Sequence, residues 1–255
     1  MFKTGCTIEI SISQCNRCLH QASFRRNKII SDYISIWCYP RLMEKAQDKK
    51  TARDRPYHHG NLVDELVAAT IAIIEERGAE NVSVREAAKR AGVSPGAPFR
   101  HFRSKTALMT AVAEQAMNRL TESVETARAQ AGDEDPLVAF EAIGHGYLRW
   151  ALANPTHFEV ISSRTLIDFN SSDILREQND AIRRLMISLL MQARENGQLP
   201  HGLDLNQLVL GARALVYGLA RMAIDGHFPE WHVAEPPSEA MHKTLHLFIG
   251  QLTRS

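Results

Sequence analysis

The chain has 255 residues, 44% of them hydrophobic, enough to bury a core in one or two domains. Its formal net charge of +1 hides an asymmetry: residues 1–60 carry 11 Lys/Arg against 5 Asp/Glu, residues 61–110 carry 7 against 6, and the remainder 12 against 18. A basic end and an acidic end suit a protein that offers one end to a polyanion, and no uninterrupted run approaches the roughly 18 apolar residues of a membrane span.

All four cysteines, Cys6, Cys15, Cys18 and Cys38, precede residue 40, so no disulfide framework can support the main fold. Cys15-Asn16-Arg17-Cys18 has the spacing of half a zinc site or a redox pair, yet no second Cys/His pair follows at finger spacing and no βαβ pattern surrounds it. Residues 1–42 show neither a helical period nor the compact apolar stretch of a signal peptide. Residues 1–54 are therefore expected to be a flexible basic leader that need not be native to the folded protein, with Met43 as a natural start.

From Asn61 the period becomes helical. In "NLVDELVAATIAIIEERG", Leu62, Leu66, Ala69 and Ile73 recur three to four apart, Asn61 fits an N-cap and Gly78 a C′ position. Ser83-Val84-Arg85-Glu86 then reads as a capping box opening a second helix from Val84 to about Ala91. Gly92 supplies the positive φ of a tight turn, Val93 plugs the angle between helices, and Ser94 with Pro95 reads as the cap and first position of a short third helix closed by Phe102. Ser94, Pro95, Gly96, Ala97 and Pro98 carry almost no side-chain bulk, which permits close approach to another surface such as a major groove. The cations at 100, 103 and 105 and the basic arm before residue 61 argue against a hairpin buried in an ordinary bundle.

Tyr57 to Leu108, with its turn glycine and its closing Arg-His-Phe then Ser-Lys, resembles the N-terminal DNA-binding domain of TetR-type transcriptional regulators. The resemblance implies an all-α homodimer. Each chain would pair a three-helix DNA-binding head (residues 55–107, with a helix-turn-helix) with a larger helical bundle (108–255) for ligand binding and dimerisation. It implies DNA contacts at Arg85, Ser94, Gly96, Ala97, Pro98 and Phe99, and phosphate contacts at His101 and Lys105. Two residues depart from the commonest pattern: Phe99 stands where a Tyr hydroxyl is usual, and Pro98 would remove the first bond inside the short helix. The implied partners are double-stranded operator DNA, a second copy of the chain and a small effector, in the cytoplasm and away from any membrane.

Beyond Leu108 the helical period continues to about Ala129, breaks at "GDEDP", resumes from Pro136, and returns over about 173–196, 204–226 and 237–253. Phe140, Tyr147, Trp150, Phe158, Met186 and Tyr217 recur at helical spacings and are the candidate lining of a mostly apolar effector pocket. Gly144 and Gly146, flanking His145 inside a helix, suggest that room is being left for a ligand. His242 and His246 have metal-ligand spacing, but without a carboxylate or Cys beside them they read as surface or interface residues, so no metal is expected. No cofactor is expected. The hydrolase elbow, the zincin helix and the Gly-rich phosphate loop are all missing, which argues against an enzyme. The alternative to a repressor released by its effector is a small-molecule-binding helical protein whose DNA-binding head has degenerated, with Pro98 and Phe99 as the suspect residues.

Overall fold

Among the described residues, the first helix forms where the apolar period begins, and each helix that follows is started by a side chain that satisfies free backbone N–H groups or by a proline that lacks one. In the structure, a computed structural model that describes residues 62–132 and 134–253, α1 spans Leu62–Arg77 and α2 Val84–Arg90. A 3-10 turn at Ala97–Arg100 leads to α3 (Lys105–Ala131), α4 (Pro136–Ala153), α5 (Pro155–Ser162), α6 (Asp173–Glu195), α7 (Leu205–Asp225) and α8 (Pro237–Leu252). No strand occurs among the described residues, in keeping with the expected all-α fold. The leader with its cysteines, and the cap expected at Asn61, lie outside them.

The caps explain the boundaries. Ser83 Oγ accepts from Glu86 N at 3.1 Å and Ser104 Oγ from Ala107 N at 3.1 Å, while Asp135, Ser172 and Asp204 do the same for α4, α6 and α7. The Ser83 capping box is half made, because the Glu86 carboxylate accepts from Arg77 at 3.4 Å. Gly78 and Gly92 take the positive φ (85° and 71°) needed to leave α1 and α2.

The short third helix differs from expectation. Ser94 does not cap with its side chain: its carbonyl accepts from Ala97 N at 3.0 Å in a turn, and the helix that follows is a single 3-10 stretch begun at Gly96. Pro98 therefore sits at its second position, where a missing N–H is harmless, and its carbonyl accepts from Phe102 N at 2.8 Å. α5 was not separable in the sequence, since Pro155 reads as the end of the preceding helix. Instead Pro155 opens a new one.

α3 joins head to body. Its first turns bury Leu108, Met109 and Val112 in one continuous core with Leu66 and Ile73 of α1, and its later turns bury Met117, Leu120 and Val124 among the body helices. α4 is the body's central helix, packing on α3, α5, α6, α7 and α8. It approaches α3 closely because Gly146 has no side chain: a Cβ there would lie 2.8 Å from the Ser123 carbonyl oxygen and 3.0 Å from Ala127 Cβ. Ser123 Oγ donates to the Gly146 carbonyl at 3.0 Å across the same contact. A Cβ on Gly144 would lie 2.6 Å from Leu245 of α8. Helix packing thus accounts for Gly146, whereas Gly144 and the Leu245 side chain it faces both line a cavity in the body.

Candidate nucleic-acid interface and body cavity

The helix-turn-helix presents its polar residues outward. Arg85 on α2 is exposed, as are Ser94, Gly96, Phe99 and His101, while Ala97 is half-buried and Lys105 partly covered. Phe99 is a large apolar side chain left 44% exposed beside them. Pro98 faces the other way and is buried, so its side chain cannot meet a partner surface. Lys105 Nζ donates to the Glu80 carbonyl at 3.0 Å, tying the start of α3 to the turn after α1.

Charge on this face is sorted by pairing. Arg90 is fixed by a two-point bond to Glu76, with one N–H to oxygen distance of 2.7 Å; the same bond pulls the Glu76 carboxyl below its usual range. Among the described residues, Arg85, Lys89, Arg100 and Arg103 have no carboxylate partner. Arg100 lies in the 3-10 turn, Arg103 just after it, and Arg85 and Lys89 on α2; a phosphate backbone would supply the missing counter-charge.

The body holds a cavity of about 320 Å³ between α3, α4, α5, α6, α7 and α8. Of the six residues singled out by sequence, Phe140, Tyr147, Trp150 and Met186 line it. Phe158 and Tyr217 do not. Phe158 is fully buried behind the wall, with ring centres 6.4 Å from Tyr147 and 6.5 Å from Trp150; Tyr217 packs on Phe158 at 5.7 Å and is 37% exposed. Burial raises the Tyr147 phenol above its ordinary pKa, and the guanidinium of Arg213 partly offsets this. The sequence pattern did not reveal Met117 and Leu120 as lining residues, nor the polar Asn179, Asn206, Arg164 and Arg213. Charged residues at the edge of a helical period look like ordinary solvated positions until the helices are assembled.

His242 and His246 are not without a carboxylate, contrary to expectation. Glu141 accepts from His246 Nδ1 at 3.1 Å and from His145 Nε2 at 3.2 Å, and His145 stacks on His242 with ring centres 4.1 Å apart. Burial first, then the neighbouring His145, lowers the His242 pKa. No group of three or more His, Cys, Asp or Glu with metal-binding geometry occurs among the described residues. α7 is long and apolar enough to cross a membrane by length and composition, with mean hydropathy 1.3, which counting uninterrupted apolar runs did not reveal. Here one of its faces packs on the core through Val209, Ala212, Val216 and Ala220.

A helix-turn-helix with unpaired cations around its tip, carried on a helical body with an internal cavity, defines a DNA-binding regulator architecture. Residues 66–112 match the model for bacterial regulatory proteins of the tetR family, and residues 140–248 match a Tetracyclin repressor-like C-terminal domain. The HTH-type transcriptional regulator BetI of Stenotrophomonas maltophilia is 34% identical over 163 residues, covering 64% of this chain and 77% of that protein. A Rhodococcus protein of unknown function superposes with a TM-score of 0.67 at 28% identity, over 79% of this chain and all of the other. FadR from Bacillus subtilis, solved in complex with stearoyl-CoA, shares the fold with a TM-score of 0.54 at 15% identity, over 73% of this chain and 97% of that one. The chain belongs to the tetR family of bacterial transcriptional regulators, and it is a DNA-binding regulator.

Proposed function

We propose that the protein is a cytoplasmic repressor that binds operator DNA as a homodimer and is released by a small, mostly apolar effector held in the body cavity. The observation that carries this reading is the course of α3, which begins at Lys105 beside the DNA-reading turn and supplies Met117, Leu120 and Val124 to the cavity wall. A ligand that moves those side chains moves the helix on which the head is mounted. Arg85, Ser94, Gly96, Ala97 and Phe99 would read the major groove, with His101 and Lys105 on phosphates and Pro98 holding the turn from within. Phe99 can touch a thymine methyl but cannot donate to a phosphate. The chemistry proposed is binding alone, with no catalytic step.

An outer face on α7 and α8 supports dimerisation: Leu247 is 60% exposed, and Gly211, Gly218 and Gly250 have nothing within 4 Å of a would-be Cβ, leaving room for a partner helix. The stearoyl-CoA complex of B. subtilis FadR supports an apolar effector in a body of this fold. Reading by two heads requires half-sites about 34–36 Å apart or a multiple of that, so a fall of about 100-fold in DNA affinity needs only about 2.7 kcal/mol of preference for one head spacing. Calorimetric titration of an effector with and without operator duplex tests the scheme, because the two ligands must weaken each other by the same factor. Equal effector affinity in both titrations would refute control of the heads by the body.

A further inference from the structure

The body cavity is uneven in charge. Its depth is apolar, with Met117, Leu120, Phe140, Ile143 and Trp150 among the lining residues, while Arg164, Arg183 and Arg213 also line it and no Asp or Glu does. The three arginines come from separate elements: the segment after α5, α6 and α7. Arg164 and Arg213 are exposed, and the Arg183 side chain is 52% exposed, so the charge lies toward the mouth.

Their present partners leave most of this charge unneutralised. Arg164 lies 4.3 Å over the Phe169 ring and donates to the Ile161 carbonyl at 2.9 Å. Arg213 lies 4.7 Å from the centre of the Tyr147 ring and 5.8 Å from that of Tyr217. Only Arg183 meets a carboxylate, Asp180 at 3.2 Å, which is shared with Arg184, and Arg183 also donates to Asn206 Oδ1 at 3.4 Å. The Tyr147 phenol also accepts from Arg213, but an aromatic face holds a guanidinium in place while leaving most of its five N–H donors free, and their planar fork matches the oxygens of a carboxylate or phosphate. Asn179 and Asn206 on the same lining add amide donors. A cationic headgroup would meet three like charges here, and a neutral one would leave the forks unmatched.

Building on the effector reading above, we infer that the effector is an anionic amphiphile. Its apolar part fills the depth of the cavity, and a carboxylate or a phosphate-bearing headgroup meets Arg164, Arg183 and Arg213 at the mouth. The cavity's 320 Å³ lies at the low end of the range for small-molecule sites, which suits a medium-length chain whose head stays outside the apolar depth.

Calorimetry on the full-length protein with four probes that share one chain length tests this: dodecanoate, dodecanoyl-coenzyme A, dodecanol and dodecyltrimethylammonium. The anionic probes should bind tightest and the cation weakest, and a preference for the coenzyme A thioester over the free acid would assign the headgroup oxygens to phosphate. Arg213→Gln and Arg164→Gln should each weaken the anions about tenfold while leaving dodecanol unchanged, as expected for loss of a charge-assisted hydrogen bond. Lys243→Gln, a charge loss outside the cavity, should leave all four affinities unchanged, and circular dichroism of each variant shows that it is folded. Equal binding of all headgroups, or an equal loss for dodecanol in the arginine variants, would overturn the anionic assignment while leaving the cavity as the effector site. No binding by any probe would overturn both.

Discussion

His157 is 5% exposed in the first turn of α5, with Nε2 3.2 Å from Gln115 Oε1 and 3.3 Å from Arg119 on α3. Burial, and secondarily the Arg119 cation, lowers its pKa to about 4 from 6.5. The unfolded chain therefore binds a proton at a higher pH than the folded one does. The neutral imidazole's contribution is complete above pH 6.5 and falls away as pH drops toward 4, by up to about 3 kcal/mol. Urea unfolding at pH 7 and pH 4.5 should show a steeper stability loss for the natural chain than for His157→Gln; parallel losses would mean that the histidine titrates normally. Gly146→Ala is expected to lower the melting temperature despite alanine's helix propensity, because the added Cβ meets the Ser123 carbonyl at 2.8 Å and backbone must move. The net cost should be about 1–3 kcal/mol. A rise in melting temperature would show that α3 and α4 can separate freely.

Among the elements, the short 3-10 turn at Ala97–Arg100 has the most to do for its length. Packing holds it from inside, through Pro98 and Phe102, while Phe99 and the flanking cations stay outward. Enlarging Ala97 to Leu should leave circular dichroism unchanged and abolish operator binding in a gel shift; retained binding would remove this turn from the groove. Lys105→Ala should weaken specific and random duplexes about equally and make the salt slope shallower by about one unit. Because Lys105 also bonds the Glu80 carbonyl, the same variant should lose about 1 kcal/mol of stability. A loss confined to one base position would contradict a phosphate role. Element boundaries were legible in sequence where a cap or a break marks them, as at Ser83 and in the Gly-Asp-Glu-Asp-Pro stretch before α4, where Asp135 proves to be the cap. The 3-10 character of the turn was not, since Ser-Pro-Gly fits either a helix start or a turn, and only the seating of Pro98 decides between them.

At the scale of the molecule, the proposed scheme needs two copies and one lever. Leu247→Glu should convert the dimer to a monomer in sedimentation while keeping helicity, since it places a charge on the exposed apolar face of α8. Operator affinity should fall with it, because one head alone loses the fixed spacing of two half-sites. An unchanged sedimentation coefficient would place the interface elsewhere.

The helical class, the helix-turn-helix and its solvent-facing residues follow from features local in sequence: an apolar period of three to four, side-chain caps, and glycine where φ must be positive. Such features act within a few residues and need no distant partner. The cavity could not be read this way. Phe140 and Trp150 belong to it while Phe158 and Tyr217, equally aromatic and equally well spaced, do not, because lining depends on how six helices meet. The approach of α4 to α3 at Gly146 and to α8 at Gly144, and the convergence of Arg164, Arg183 and Arg213 on one mouth, bring together residues far apart in the chain. Only the packed core sets those distances, since interiors are close-packed and a single missing Cβ fixes where one helix may cross another.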